Sequence, residues 1–294
     1  MSMQELILSA LKASIFLTVL ALGFKATLAD AEYVFRRPRE LSRAFLTMNV
    51  FMPLLALAIV LRFNLEPAVK IALVALSVSP VPPLFPRKSM KARGREGYSV
   101  GLLVAAAVLA IVVIPLTMKI FEQVLNVPLQ MPPRAVAKLV FATILAPLLI
   151  GVFVRRLAPS FAERVARPVA TFALVLLGLA VLPILFESAK AIVSLIGNGT
   201  LLSMTAFGLV GLVVGHLLGG PDPETRLSLA LATACRHPGL AIAIAHANFP
   251  QQKLVVPAVG LYLIISAVLW IVASARYSRE VSREALPHSP RRQG

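Results

Sequence analysis

The chain has 294 residues, of which 58% are hydrophobic and 14% are charged, and its mean hydropathy is +0.85. Soluble domains carry about 25% charged residues, so this composition excludes a soluble globular protein and predicts an integral membrane protein. The 29 lysines and arginines outnumber the 13 acidic residues and give a net charge of +16. The single cysteine, Cys235, excludes an internal disulfide and a multi-cysteine metal site.

Nine apolar segments follow one another along the chain, separated by proline, glycine and charge clusters. Each is long enough for a helix that crosses the membrane, which takes roughly 20 residues for about 30 Å of hydrocarbon. They lie near residues 6–29, 43–63, 66–93, 97–121, 134–155, 166–187, 198–218, 222–248 and 253–275. We interpret the first as a retained helix and not a secretory signal, because Glu5 precedes it where a signal has a basic cluster.

The basic residues alternate with the predicted spans. About two thirds of them fall in connections on one side of the membrane and in the tail, and the positive-inside rule makes that side the cytoplasm. The N-terminus is then outside and the C-terminus cytoplasmic, in the cell (inner) membrane, and residues 277–294 form a basic, disordered tail. Lys25, near a span end, most simply reaches for the membrane surface. Because topology explains the charge, the expected partner is the lipid bilayer and no nucleic acid is expected.

Two predicted spans are interrupted in the middle. Residues 66–93 contain the sequence PVPP, which begins at Pro80, and residues 222–248 contain RHPG, which begins at Arg236. Broken backbone in hydrocarbon leaves N–H and C=O groups unpaired at a cost of several kcal/mol each, so it occurs where it lines a polar cavity or binds a ligand. The alternative is that the prolines are simple helix kinks.

The two interrupted spans also align with each other. When Pro67 is placed on Pro223, the breaks coincide without gaps. In the predicted topology the two spans enter the membrane from opposite sides, so the chain is an inverted repeat. Its halves, about 1–121 and 132–276, belong to one transmembrane domain, 1–276. Paired halves with broken helices at matching positions indicate a secondary transporter whose site lies near the bilayer midplane.

Three stretches carry a family resemblance. They are LALGFKATLADAEYVFRRPRELSRAFLTMNVFMP from Leu20, SVSPVPPLFPRKSMKARGREGYSV from Ser77 and ETRLSLALATACRHPGLAIAIAHANFP from Glu224. They resemble the bile acid:sodium symporter family. The resemblance implies an all-α polytopic membrane protein with a panel domain, a core domain and two broken helices that cross in the core. It also implies alternating access by rocking of one domain against the other, and this chain corresponds to such members from their second span onward.

The same resemblance indicates where sodium would bind. The positions of the family's first sodium site read here as Phe85, Pro86, Ser99, Leu103 and Ala232. The glutamine positions of the second site read as Met48, beside Asn49, and as Arg236. All 13 acidic residues fall in loops or at span ends, so sodium coupling is left open. A weak neutral ion site remains possible, built from backbone carbonyls and the hydroxyls of Ser77, Ser79, Ser99 and Thr233.

Arg236 is the most informative single residue. It lies about 18 Å along a helix from Glu224, near the middle of the membrane, where an arginine needs acceptors and finds no carboxylate. We expect it to hold an organic anion through its guanidinium fork, aided by the N-terminus of the half-helix that starts at Pro238. The expected substrate-binding residues are Arg236, His237, Thr233, Pro238, Gly239, Ser79, Pro80 and Asn49. The alternative is that Arg236 only caps the carbonyls of the broken helices.

The functional prediction is a secondary transporter of a small organic anion. His237 is the candidate proton carrier if transport is coupled to protons, and otherwise a packing histidine. No catalytic motif occurs at usable spacing, so the chain is not expected to be an enzyme, and no cofactor is expected beyond sodium or a proton as coupling ion. The alternatives are a non-transporting membrane receptor and a proton-coupled or uncoupled anion exporter. The sequence sets neither the direction of transport, nor the identity of the anion, nor the oligomeric state.

Overall fold

The computed structural model describes residues 3–284, with side chains from Glu5 to Arg276, and all regular elements in this part of the chain are helical. The helices are α1 Met3–Gly23, α2 Leu28–Glu32, α3 Pro38–Phe45, α4 Met52–Arg62, α5 Pro67–Val78, α6 Phe85–Lys91, α7 Glu96–Leu125, α8 Pro133–Val140, α9 Ala146–Leu157, α10 Pro159–Ser194, α11 Thr200–Leu218, α12 Pro223–Ala234, α13 Pro238–Asn248 and α14 Val255–Glu284. The backbone of α14 thus continues past the predicted tail boundary at residue 277. The rest of that tail lies outside the described residues, and its disorder stays a prediction.

Two pairs of these helices are continuous through π-helical turns. Leu46–Phe51 joins α3 to α4, and Phe141–Leu145 joins α8 to α9. The joined spans, Pro38–Arg62 and Pro133–Leu157, are among eight within the described residues that are long and apolar enough to cross a membrane. The remaining predicted span, 66–93, is present as α5 and α6. An all-α polytopic membrane protein is therefore confirmed.

Prolines set the ends of the half-helices. Helices α5 and α12 each have 12 residues and begin with Pro67 and Pro223, at a position where the missing N–H costs no hydrogen bond. Helix α5 ends at Val78 because the following PVPP sequence lacks three backbone donors. Helix α12 ends at Ala234, and α13 begins at Pro238. Both predicted breaks are confirmed, whereas the opposite orientation of the two halves stays a prediction.

The first span ends at Gly23, earlier than the predicted end near residue 29. The reason is a capping box that starts the separate helix α2. The hydroxyl of Thr27 accepts from the N–H of Asp30 over 3.1 Å, and the carboxylate of Asp30 accepts from the N–H of Thr27 over 2.8 Å. A capping box satisfies two N-terminal donors at once, which favours a new helix at this point.

The helices form two layers. Helix α1 packs against α9 and α10, and we call these three the panel layer. Helices α3–α7 and α11–α14 pack around the two broken segments, and we call them the core layer. Within the panel layer Gly23 faces Gly151, where an added Cβ on Gly151 would lie 2.5 Å from the carbonyl oxygen of Leu20. Such close approach of backbones, made possible by small residues, is how helices associate in lipid.

Candidate functional site

The two broken segments meet inside the core layer. Helix α5 packs against α13 and α6 packs against α12, so the half-helices cross. At the contact the backbone N–H of His237 donates to the carbonyl oxygen of Pro80 over 2.9 Å. This hydrogen bond pairs a backbone donor of the second break with a backbone acceptor of the first. Neither group then needs a partner within its own helix. We call this contact, formed by residues 79–84 and 235–237, the crossing.

Arg236 joins the crossing to a third segment of the core layer. Its side chain is buried, with 2% of the residue exposed. Its Nη1 donates to the carbonyl oxygen of Ser79 over 3.1 Å, and its Nη2 donates to the carbonyl oxygen of Met48 over 3.2 Å. Ser79 caps the C-terminus of α5, where carbonyls lack helical donors. Met48 lies in a π-helical turn, and Pro53, five residues later, has no N–H to offer it.

The charge of Arg236 is not neutralised by an acidic side chain. Within the described residues, none of the ion pairs involves Arg236, and its Nε has no hydrogen-bond partner. A guanidinium has five N–H donors, and the two carbonyls take only two of them. The C-terminal ends of α5 and α12 point their negative partial charges into this region, which favours a cation. The arrangement leaves one edge of a buried guanidinium free for an added acceptor.

Side chains cap two further backbone groups at the second break. The hydroxyl of Tyr262 donates to the carbonyl of Ala234 over 2.6 Å, and Nδ1 of His237 accepts from the N–H of Leu240 over 3.3 Å. The hydroxyl of Thr233 donates back to the carbonyl of Leu229 over 2.7 Å. Since an acceptor Nδ1 carries no proton, His237 in this arrangement is the neutral tautomer with its proton on Nε2.

The crossing brings together most of the residues expected to bind substrate. Ser79 and Pro80 contact Arg236 and His237 directly through their carbonyls. Gly239 is exposed, and an added Cβ there would lie 3.2 Å from the ring of His237. Thr233 and Pro238 flank the second break on its two half-helices. The expected binding role of these residues stays a prediction.

The segment around Asn49 contributes to the site through its backbone, and not through the Asn49 side chain as expected. That side chain makes no hydrogen bond within the described residues, whereas the carbonyl of its neighbour Met48 binds Arg236. Sequence reasoning missed Tyr262, and it named Met48 only as the residue at the family's glutamine position, not as a carbonyl acceptor for Arg236. The available signals were Pro53, which leaves a carbonyl unpaired, and a tyrosine in an otherwise apolar span.

Four of the five positions of the family's first sodium site are filled by buried apolar side chains, and the fifth is Ser99. Phe85, Leu103 and Ala232 have no exposed surface. Pro86, which follows Phe85 in the sequence, is also buried. Sodium, like other hard cations, needs several oxygen ligands, which these side chains do not supply. Of the four residues expected to form a neutral ion site, Ser77 and Ser79 donate to carbonyls of α5 and Thr233 donates to a carbonyl of α12. No hydrogen bond within the described residues joins these three to Ser99.

Ser99 instead belongs to a cluster of three buried hydroxyls. Its oxygen lies 2.8 Å from that of Ser89 and 3.3 Å from that of Ser228, and the oxygens of Ser89 and Ser228 lie 3.0 Å apart. Gly94 packs against the cluster so closely that a Cβ there would overlap the Ser89 and Ser228 hydroxyls. The cluster ties α6, α7 and α12 together. Sequence reasoning found only Ser99, because the cluster depends on Ser228, which lies 129 residues from Ser99 and 139 residues from Ser89.

Two cavities adjoin the core layer. One, of about 440 Å³, lies among α4, α5, α7 and α13 and is lined mainly by apolar side chains, with Lys70, Asn248 and Gln252 as polar members. The other, of about 330 Å³, lies between the panel layer and α6 of the core layer, and its wall includes Pro83 of the first break. We call the second one the panel–core cavity.

Comparison with known proteins identifies relatives among membrane transporters. The sequence model of the sodium bile acid symporter family matches residues 13–195, a range that includes the first break and stops before the second. Sodium/bile acid cotransporter 4 of Rattus norvegicus is 29% identical over 145 residues, which cover 49% of this chain and 33% of that protein. The Mus musculus cotransporter of the same name matches with the same identity and coverage.

A plant protein matches more of the chain. The probable chloroplastic sodium/metabolite cotransporter of Arabidopsis thaliana is 24% identical over 246 residues, which cover 82% of this chain and 60% of that protein. The chain thus spans a third of the length of the rat and mouse relatives and 60% of the plant relative.

Proposed function

Because the chain belongs to the sodium bile acid symporter family, we propose that it is a secondary transporter that carries a small organic anion and binds it at the crossing. Membership and the apolar helices make it an integral membrane protein of a transporter family. Transport by alternating access would move the panel layer against the core layer while the crossing stays intact. The cell (inner) membrane, with the N-terminus outside and the C-terminus cytoplasmic, is part of the proposal.

The buried charge of Arg236 carries this proposal. Removing an arginine from water into the middle of a membrane costs at least about 2.5–3.5 kcal/mol, so its retention needs a compensating partner. The carbonyls of Ser79 and Met48 compensate part of that cost, but a carbonyl carries no net charge. A carboxylate or similar oxyanion at the free Nε edge would complete the pairing with a charge-assisted hydrogen bond. The bound anion would also lie near the N-terminus of α13, whose dipole favours negative charge.

Arg236 also bears on the coupling ion. Carbonyl oxygens are the ligands that hard cations take in proteins, and here two of them already accept from the guanidinium. We propose that Arg236 acts as a permanently attached cation at the family's second sodium position. At the first sodium position Phe85, Leu103 and Ala232 supply no side-chain oxygen, and Ser99 alone of its five residues has one. Transport that does not depend on sodium follows from both features.

A proton is the alternative coupling ion. Protonation of His237 on Nδ1 would remove the acceptor that caps Leu240 at the start of α13. The charged imidazole would also lie next to Arg236 in sequence, which adds repulsion. These two costs favour a neutral capping histidine over a proton carrier. The receptor and exporter alternatives share the same anion site and differ only in whether, and in which direction, the anion crosses.

The test is anion transport by purified protein in proteoliposomes. Organic anions are first screened for thermal stabilisation, and the stabilising anions are then used for uptake and exchange, with sodium and with potassium. We expect Arg236→Gln to reduce uptake at least about tenfold, since a charge-assisted hydrogen bond contributes about 1.5–3 kcal/mol. Arg226→Gln is the matched control, because Arg226 lies on α12, the helix that precedes Arg236. Its guanidinium donates to the carbonyls of Gly220 and Pro221, away from the crossing.

Each result of this test has a definite meaning. Uptake that is unaffected by Arg236→Gln would refute the anion site at the crossing. Uptake that requires a sodium gradient would refute the attached-cation proposal. Anion binding without accumulation or exchange would make the chain a receptor. Transport of the anion from the cytoplasmic face of the protein to its outer face, without transport in the reverse direction, would make it an exporter.

A further inference from the structure

The panel–core cavity is strongly basic. Its wall contains Lys25, which follows α1, Arg87 on α6 and Arg167 on α10, and none of its lining residues is acidic. Within the described residues, none of these three cations takes part in an ion pair. Three unpaired positive charges therefore face one concave space of about 330 Å³, which falls within the range of roughly 300–1,000 Å³ for small-molecule sites.

Membrane topology alone does not explain this arrangement. The positive-inside rule places cations near span ends but does not make them converge. Arg164, on α10, is an exposed cation of that scattered kind and lies outside the cavity wall. The three cavity cations instead come from three separate parts of the chain, the turn after α1, α6 and α10, and from both layers. Concave surfaces lined by one sign of charge focus the electric field and attract counter-ions, so the cavity has the electrostatics of an anion site.

Arg87 links the two layers across the cavity. It is half-buried, and its Nη1 donates to the carbonyl oxygen of Ala170 in α10 over 3.1 Å. That carbonyl lies in the interior of α10, where a helical N–H already serves it. A hydrogen bond between a guanidinium and an anion is stronger than one to a neutral carbonyl. An anion that enters the cavity can therefore displace Ala170 as the acceptor of Arg87.

We propose that the panel–core cavity binds the acidic part of the transported anion, and that the substrate is a small molecule with two or more negative charges. A single carboxylate would leave two of the three cations unpaired, whereas a dicarboxylate, tricarboxylate or phosphate ester engages both walls. Pro83 belongs to the first break and lines the cavity, so the cavity and the crossing share one structural element. The inference rests on the proposed anion transport and specifies its substrate class.

The experiment measures how anion affinity depends on charge. Butyrate, succinate, citrate and glycerol 3-phosphate are titrated against purified protein, and dissociation constants are obtained from thermal stabilisation. We expect the multiply charged anions to bind at least about tenfold more tightly than butyrate. Arg87→Gln and Arg167→Gln should each remove most of that preference. Arg164→Gln, with the same change in charge on the same helix as Arg167, should leave the preference within about twofold.

A lipid headgroup is the other source of the same chemistry, and a second arm separates the two. The protein is placed in nanodiscs of phosphatidylcholine alone or with phosphatidylglycerol. Stabilisation by phosphatidylglycerol that Arg87→Gln removes, without any response to the free anions, would overturn the small-molecule assignment. Equal binding of butyrate and the multiply charged anions would overturn it as well.

The proposed function and this inference fail in different ways. If anions bind in an Arg236-dependent manner but the charge preference is the same in Arg87→Gln, Arg167→Gln and wild type, the cavity inference is wrong and anion transport stands. If no anion binds and Arg236→Gln changes nothing, both are wrong.

Discussion

The hydroxyl of Tyr262 holds the end of α12 at the crossing, and its removal tests how that end is stabilised. In Tyr262→Phe the ring keeps its edge-to-face contact with Phe207, at 5.6 Å between ring centroids, so only the hydrogen bond to Ala234 is lost. The carbonyl of Ala234 would then be buried without that donor. Such a group costs about 1–3 kcal/mol, and each kcal/mol lowers the melting temperature of a chain of this size by about 2–4 °C.

The assay is thermal unfolding of the detergent-solubilised protein, followed by intrinsic fluorescence or by exposure of Cys235 to a thiol reagent. Cys235 is buried directly after Ala234, so thiol labelling reports on opening of the break itself. We expect a lower melting temperature and faster labelling in Tyr262→Phe. Ser266→Ala, on the same helix, is the control, because Ser266 donates to the carbonyl of Leu263 three residues earlier in α14 and its loss should change little. Equal stability and labelling of Tyr262→Phe and wild type would refute the assigned capping role.

Two further predictions use matched substitutions. Gly151→Ala should destabilise the panel layer by about 1–3 kcal/mol, since its Cβ would meet the backbone of Leu20. The control is Gly178→Ala, which should be neutral or slightly stabilising, because no atom lies within 4 Å of the added Cβ and alanine has the higher helix propensity. Equal thermal stability of the two variants would contradict the close packing at Gly151. His237→Asn should preserve both stability and the pH profile of transport, because asparagine also caps helix N-termini, while His237→Ala should lose about 1 kcal/mol of stability. A pH dependence that disappears in His237→Asn would instead make His237 the proton carrier.

The breaks were predictable because they are local. Proline cannot donate a backbone hydrogen bond, so PVPP after Val78 ends one half-helix, and Pro238 at an N-terminus starts another. The crossing of the two segments was predicted from the family resemblance. The same local logic missed the end of α1, where the capping box of Thr27 and Asp30 competes with continued apolar helix.

The partners of Arg236 were not predictable in the same way. That it needs acceptors followed from the scarcity of carboxylates, but its acceptors are backbone carbonyls, and every residue has one. Only the fold selects Ser79 and Met48 from among them. The serine cluster and the convergence of Lys25, Arg87 and Arg167 were missed for a related reason, because both depend on the packing of helices that are remote in sequence.

The hydrogen bond from His237 to Pro80 joins main chain to main chain. Among substitutions at residue 237, only proline would remove the donor, and none at residue 80 would remove the acceptor. This one contact of the crossing therefore does not depend on which side chains residues 80 and 237 carry. The side chains at the family's sodium positions, such as those of Phe85 and Arg236, can therefore change while this hydrogen bond remains. The coupling chemistry of such a transporter can thus diverge on a constant backbone, and a family name alone does not fix which ion drives a given member.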